Sequence, residues 1–155
     1  MKTLILYFSA EMGRTRTLAE KLQELTAADI FEIQPTVPYS KADVNYYNPL
    51  ARCNKEHFGK KAVPIRAYPE NFAQYDMVLL GFPIWYGCAP DVVSCFCDAL
   101  EFEGKKLAVF ATSGGDGIGK TADKLAPHIR GAELLDARLF RGADADELQA
   151  WLRQF

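Results

Sequence analysis

Three uninterrupted apolar runs, residues 4–8, 77–82 and 107–111, each stop at a loop that contains glycine. A strand with one solvated face alternates apolar and polar residues, so unbroken runs of this length suit strands covered on both faces. Two other segments do alternate: 30–33, and 134–140 with Asp136 and Arg138 interleaved. These suit strands at sheet edges. Helical patterns fill the intervals. Residues 15–25 follow the first strand. Residues 90–100 follow the third, with Pro90 in the first turn and Val92, Val93, Phe96 and Leu100 on one face. Residues 119–128 follow the fourth. From Asp144 the tail carries a capping-box-like Asp144-x-x-Glu147 and a stripe of Leu148, Trp151, Leu152 and Phe155. Strand and helix thus alternate five times, which implies parallel strands, right-handed crossovers and helices on both faces. The expectation is an α/β fold, a three-layer, doubly wound, five-stranded parallel sheet of order 2-1-3-4-5 with the apolar strands central. Burial pattern alone does not separate a 2-1-3 from a 3-1-2 start.

At 155 residues the chain is expected to form a single domain over 1–155. Its 49% hydrophobic and 25% charged residues exclude a disordered or collagen-like chain. A net charge of −2 gives no global electrostatic reason to bind nucleic acid or an anionic membrane. The longest nearly apolar stretch, 77–90, is too short and too broken by glycine and proline to span a bilayer. The N-terminus mimics a signal peptide, but Glu11, Arg14 and Arg16 follow the apolar run at once, so it reads as a buried strand of a cytoplasmic protein. Cys53, Cys88, Cys95 and Cys97 lack zinc spacing, and Cys95 and Cys97 face apart on a helix; reduced structural thiols are expected. His57 and His128 receive no catalytic role, and no metal cluster or Ser-His-Asp arrangement is evident.

The second crossover, 34–76, is long and irregular, with Asn48-Pro49 placed to open a helix that ends before Gly59. Between Tyr39 and Arg66 it carries six Lys/Arg against two Asp/Glu, interleaved with Tyr39, Tyr46, Tyr47, His57 and Phe58. Such a stretch is either a partner surface or a solvated face with anchoring aromatics.

Ligands of open parallel sheets bind beyond the carboxyl ends of the strands, where crossover direction reverses. In the order above that is between strands 1 and 3, and three loops reach it. The first holds Ser9, Glu11, Met12, Gly13, Arg14 and Thr15 and runs into a helix N-terminus, where free N–H groups and the helix dipole favour a phosphate. Thr17 adds a hydroxyl and Arg16 a charge; an ordinary capped turn is the alternative. The second, Pro83, Ile84, Trp85, Tyr86 and Gly87, sets two aromatics side by side. An exposed pair of this kind suits a flat heteroaromatic ligand, with core packing as the alternative. The third, Thr112, Ser113, Gly114, Gly115, Asp116, Gly117, Ile118 and Gly119, exposes backbone N–H groups through its glycines. Gly114 to Thr121 also fits the phosphate-loop pattern G-x-x-x-x-G-K-S/T. A nucleotide hydrolase would need an acidic magnesium ligand at a neighbouring strand's end, however, and Asp76 and Asp136 are misplaced for it.

The Tyr7-Phe8-Ser9 strand end with Gly13-x-Thr15, the run from Gly81 to Gly87 and the glycine-rich Thr112 to Gly119 together resemble the flavodoxin family over essentially the whole chain. The resemblance implies a flavodoxin-like fold and noncovalent flavin mononucleotide (FMN). Its 5′-phosphate would lie on the first loop and its isoalloxazine between the other two, with Trp85 or Tyr86 stacked on the ring and Gly87 near N5. The first loop departs from the family's Ser/Thr-x-Thr-Gly-Asn-Thr pattern, and Glu11 is expected to face solvent while Arg14 compensates. The third loop lacks the aromatic that many members stack on the second flavin face. The implied function is electron transfer between redox partner proteins or small electron acceptors. Alternatives are an NAD(P)H-dependent quinone or nitro-reductase, a module that has lost FMN and acts through 39–66, and a P-loop nucleotide binder.

Overall fold

The computed structural model describes residues 2–10, 13–40, 42–44, 47–48, 50–59, 62–113, 117–142 and 144–155. Five strands, β1 (Thr3–Tyr7), β2 (Asp29–Glu32), β3 (Met77–Pro83), β4 (Lys106–Thr112) and β5 (Glu133–Leu139), alternate with five helices. These are α1 (Arg14–Thr26), α2 (Arg52–Gly59), α3 (Asp91–Asp98), α4 (Thr121–Leu125) and α5 (Ala145–Leu152). All neighbouring strands are parallel, in the order β2-β1-β3-β4-β5. The sequence-derived topology is the one observed, with the two alternating segments at the edges.

The pleat sends successive side chains to opposite faces, and because β1, β3 and β4 are covered on both, each feeds two cores. Leu4, Leu6 and Phe8 join Val78, Leu80, Leu107 and Val109 on one face, under Val92, Val93 and Phe96 of α3 and Leu125 of α4. Ile5 and Tyr7 join Leu79, Ala108 and Phe110 on the other, under Leu18 and Leu22 of α1 and Leu148 and Trp151 of α5. Where β3 and β4 pair Gly81 with Phe110, a Cβ on residue 81 would sit 2.1 Å from the Phe110 ring, so only glycine fits.

Local chemistry sets the element ends. Asp144 caps α5: its Oδ1 accepts the N–H groups of Asp146 (2.9 Å) and Glu147 (3.1 Å). The helix read over 119–128 is shorter than expected. It breaks into α4 and a 3-10 turn, Ala126–His128, because Pro127 has no N–H to continue the ladder. In the long crossover a turn precedes the helix: Asn48 accepts the N–H of Leu50 through Oδ1 (3.0 Å) and that of Ala51 through its carbonyl (2.9 Å). The helix itself then starts at Arg52. At the amino end of the sheet the buried Lys105 ammonium donates to the carbonyls of Phe72 (3.1 Å) and Tyr75, closing the approach to β4.

No described helix is long and apolar enough to cross a membrane. Cys53, Cys88, Cys95 and Cys97 are free thiols, and no group of three or more His, Cys, Asp or Glu among the described residues is placed to hold a metal ion.

Candidate functional site

The carboxyl ends of β1, β3 and β4 deliver the three loops to one rim, and specific contacts join them. Gly13, at φ +70°, ends the first loop and caps α1. The N–H of Arg16 in the first turn donates to Ser9 Oγ (3.2 Å), and that of Thr17 to the Gly13 carbonyl (3.0 Å). The N–H groups of Arg14 and Thr15 have no acceptor among the described residues. This is the pattern by which a helix start holds an anion. Thr15 itself is buried, and its hydroxyl pairs with that of Thr112 at 2.8 Å, tying α1 to the end of β4. Arg14 reaches the Ser113 carbonyl at 3.5 Å.

Arg16 and Thr17, grouped with the phosphate-loop residues by sequence, go elsewhere. Arg16 pairs with Glu32 at the end of β2, and Tyr7 donates to the same carboxylate (3.3 Å). Burial above all, with Glu32 beside it, raises the Tyr7 pKa. The Thr17 hydroxyl donates back to the Gly13 carbonyl (3.0 Å). Together Arg16, Glu32, Ser9, Gly13, Gln34, Tyr39 and Arg66 line a cleft of about 260 Å³. This cleft lies past the carboxyl ends of β1 and β2 and shares Ser9 and Gly13 with the first loop.

In the second loop Trp85 and Cys88 exchange main-chain hydrogen bonds (2.9 and 3.1 Å) around Tyr86 (φ +56°) and Gly87 (φ +73°). Two consecutive left-handed residues inside such a pair define a type I′ turn. The N–H of Ile84 donates to the Thr112 carbonyl (2.7 Å), and Pro83 pairs with Thr112 in the β3–β4 register. The third loop returns to touch the second: a Cβ at Gly119 (φ +53°) would lie 3.1 Å from the Gly87 carbonyl oxygen.

The two aromatics of the second loop are not the exposed pair the sequence suggests. Both are half-buried, because the long crossover supplies partners that no local pattern reveals. Trp85 meets Phe8 and Tyr39 edge-on, with ring centroids 5.6 and 5.5 Å away. The Tyr86 hydroxyl donates to Cys53 Sγ of α2 at 3.4 Å. Tyr39 is anchored in turn: it donates to Glu56, and the Arg52 guanidinium lies 4.0 Å from its ring centroid while bonding Glu56 at 3.2 Å. Burial first, then the Glu56 hydrogen bond, drives the Tyr39 pKa far above the ordinary phenol range. Burial and the Cys53 contact raise that of Tyr86.

Met12, Gly114, Gly115 and Asp116, with the solvent-facing orientation expected of Glu11, lie outside the described residues. The P-loop alternative fails on geometry. Thr121, which that motif turns toward a metal, is fully buried with its hydroxyl on the Ile118 carbonyl. Asp76 accepts the Lys2 N–H at the opposite end of the sheet (3.1 Å), and Asp136 accepts the Trp151 indole N–H (2.8 Å).

Fold and rim define a doubly wound α/β protein whose switch point is framed by three glycine-containing loops. The chain belongs to the flavodoxin family, whose model matches residues 2–155. A proposed flavoprotein from Bacteroides eggerthii superposes with a TM-score of 0.91 at 35% identity, over 98% of this chain and 96% of that one. A second, from Bacteroides uniformis, gives 0.91 at 31% identity over 98% and 97%. A flavoprotein from Lactobacillus acidophilus, crystallised in complex with FMN, shares the fold at a TM-score of 0.75 and 24% identity over 97% and 98%. No match to a curated protein was found.

Proposed function

We propose that this protein binds FMN noncovalently and carries electrons between redox partner proteins or small electron acceptors. The observation that carries the reading is the joining of three loops at the switch point through Thr15–Thr112, Ile84–Thr112 and Gly87–Gly119. The residues present fit the group. A Cβ built on Gly13, Gly87 or Gly117 meets nothing within 4 Å, so these glycines border open space, whereas Gly81 and Gly131 are packed. The first-turn N–H groups of Arg14 and Thr15, which have no acceptor among the described residues, suit a phosphate beside that space.

On this reading Ser9, Met12, Gly13, Arg14 and Thr15 hold the phosphate. The ring lies among Pro83, Ile84, Trp85, Tyr86 and Gly87 and Thr112, Ser113, Gly114, Gly115, Asp116 and Gly119. Bound FMN would supply reversible electron uptake and release. The chain binds, orients and tunes: each tenfold difference in affinity between two oxidation states moves a one-electron potential by about 59 mV. Arg14 adds positive charge at the phosphate end, while the apolar walls of Ile84 and Trp85 limit water at the ring. The likeness to the FMN complex of the Lactobacillus acidophilus protein supports the choice of flavin.

The test is titration of purified, flavin-free protein with FMN, followed by quenching of flavin fluorescence. Saturation at one FMN per chain is expected, with affinity weakened on the order of tenfold or more in Thr15→Val. A chain that leaves flavin fluorescence unchanged overturns the reading.

A further inference from the structure

The crossover between β2 and β3 is electrostatically unlike the rest of the molecule. Over 39–66 it carries six Lys/Arg against two Asp/Glu, although the whole chain has 18 against 20, so the remainder is acidic. Both acids of the segment are spent on one cation: Arg52 bonds Glu56 at 3.2 Å and lies 3.9 Å from Asp43. The positive charge of Lys55 and Arg66, both exposed, is therefore not compensated within the segment, and Lys41, Lys60 and Lys61 add to its sum. Apolar side chains gather at the same place. Val37 is 64% exposed, Leu50 74% and Tyr47 82%, three of the four exposed large hydrophobic residues among those described. Arg52 brings Val37 beside this stretch, donating to the Val37 carbonyl at 2.6 Å from a position two residues beyond Leu50. This face also borders the rim, because Tyr39 packs on Trp85 and Cys53 holds Tyr86.

An apolar centre with a ring of one charge sign is how a transient protein interface achieves register and rapid encounter. We infer that the surface carrying Val37, Tyr47, Leu50, Lys55 and Arg66 docks an acidic redox protein beside the Trp85–Tyr86 edge of the flavin site. The inference rests on the proposed flavin function for its purpose, and on charge complementarity for its partner. Net charge alone, at −2, favours the opposite choice, a basic partner.

Two arms test it, with acidic cytochrome b5 and basic cytochrome c as probes. In the first, flavin-free protein is titrated with each cytochrome by calorimetry. Binding to cytochrome b5 at low salt is expected, weakened about tenfold when salt rises from about 20 to about 200 mM. In the second, FMN-loaded, dithionite-reduced protein is mixed with each cytochrome in a stopped-flow instrument. The rate with cytochrome b5 should fall with salt. The double variant Lys55→Glu, Arg66→Glu should reverse that slope, and Leu50→Ser should lower the rate with the slope intact. A cytochrome b5 rate that rises with salt, or a slope indifferent to the double variant, overturns the proposal. So does a preference for phosphatidylserine vesicles over cytochrome b5, which marks a membrane surface, or concentration-dependent dimerisation abolished by Leu50→Ser, which marks a second copy. Failure of the flavin reading shows separately, as protein that stays colourless with FMN while the calorimetric arm still reports on the surface.

Discussion

Tyr86 and Gly87 sit side by side in the left-handed region, at φ +56° and +73°, where a side chain crowds its own carbonyl. Tyrosine is held there by the hydroxyl bond to Cys53, whereas Gly87 needs no such anchor. Gly87→Ala should therefore cost about 1–2 kcal/mol. In thermal denaturation that is a fall of a few degrees, about 2–8 °C. Gly142→Ala is the control: a Cβ there meets nothing within 4 Å and φ is not positive, so its melting temperature should be unmoved. The phenols give a second expectation. Tyr39, Tyr86 and Tyr7 hold their protons above the ordinary range, chiefly through burial. The unfolded chain releases those protons at about pH 10. Above that point the native state binds more protons than the unfolded one, so stability is complete below it and declines as pH rises toward the folded values. Urea midpoints measured from about pH 8 to about pH 11 should fall at the alkaline end, and Tyr39→Phe should flatten the decline.

The elements show which parts of the structure local sequence encodes. β1, β3 and β4 are readable because double-sided burial removes polar residues, and β2 and β5 because an edge strand is only partly covered: Phe31, Leu134, Ala137 and Leu139 meet one core and Ile30 and Leu135 the other, none fully buried. The α5 cap is readable because an aspartate directly before an apolar helical stripe suits an N-cap, although Glu147 bonds Arg138 rather than completing the capping box. Asp144→Ala should destabilise by about 1 kcal/mol, and Asp144→Asn should recover most of it, as read by chemical denaturation. The contacts that assemble the rim are different in kind. Thr15 and Thr112 are 97 positions apart, and Cys53 and Tyr86 are 33 apart. Neither member of either pair breaks its own local pattern, so no periodicity argument finds it. For the same reason Trp85 and Tyr86 read as exposed until the crossover is placed over them. Sequence proximity puts Arg16 beside a phosphate, whereas β2 brings Glu32 within reach of its guanidinium.

At the scale of the whole molecule, stability is graded from the centre of the sheet outward. β1, β3 and β4 are buried almost throughout, while no residue of β2 or β5 is fully buried. Native-state hydrogen exchange should find the slowest amides in the three central strands and markedly faster exchange in β2 and β5. Equal protection across the sheet would contradict this grading. The rim stands on that buried centre. Its first and third loops are tied through the buried Thr15–Thr112 hydroxyl pair, a link that belongs to the polypeptide alone and needs no guest to form. Capture should then be a simple collision. After the flavin is stripped, refilling should proceed in one second-order phase whose rate climbs linearly with FMN concentration, without the plateau that a slow rearrangement imposes.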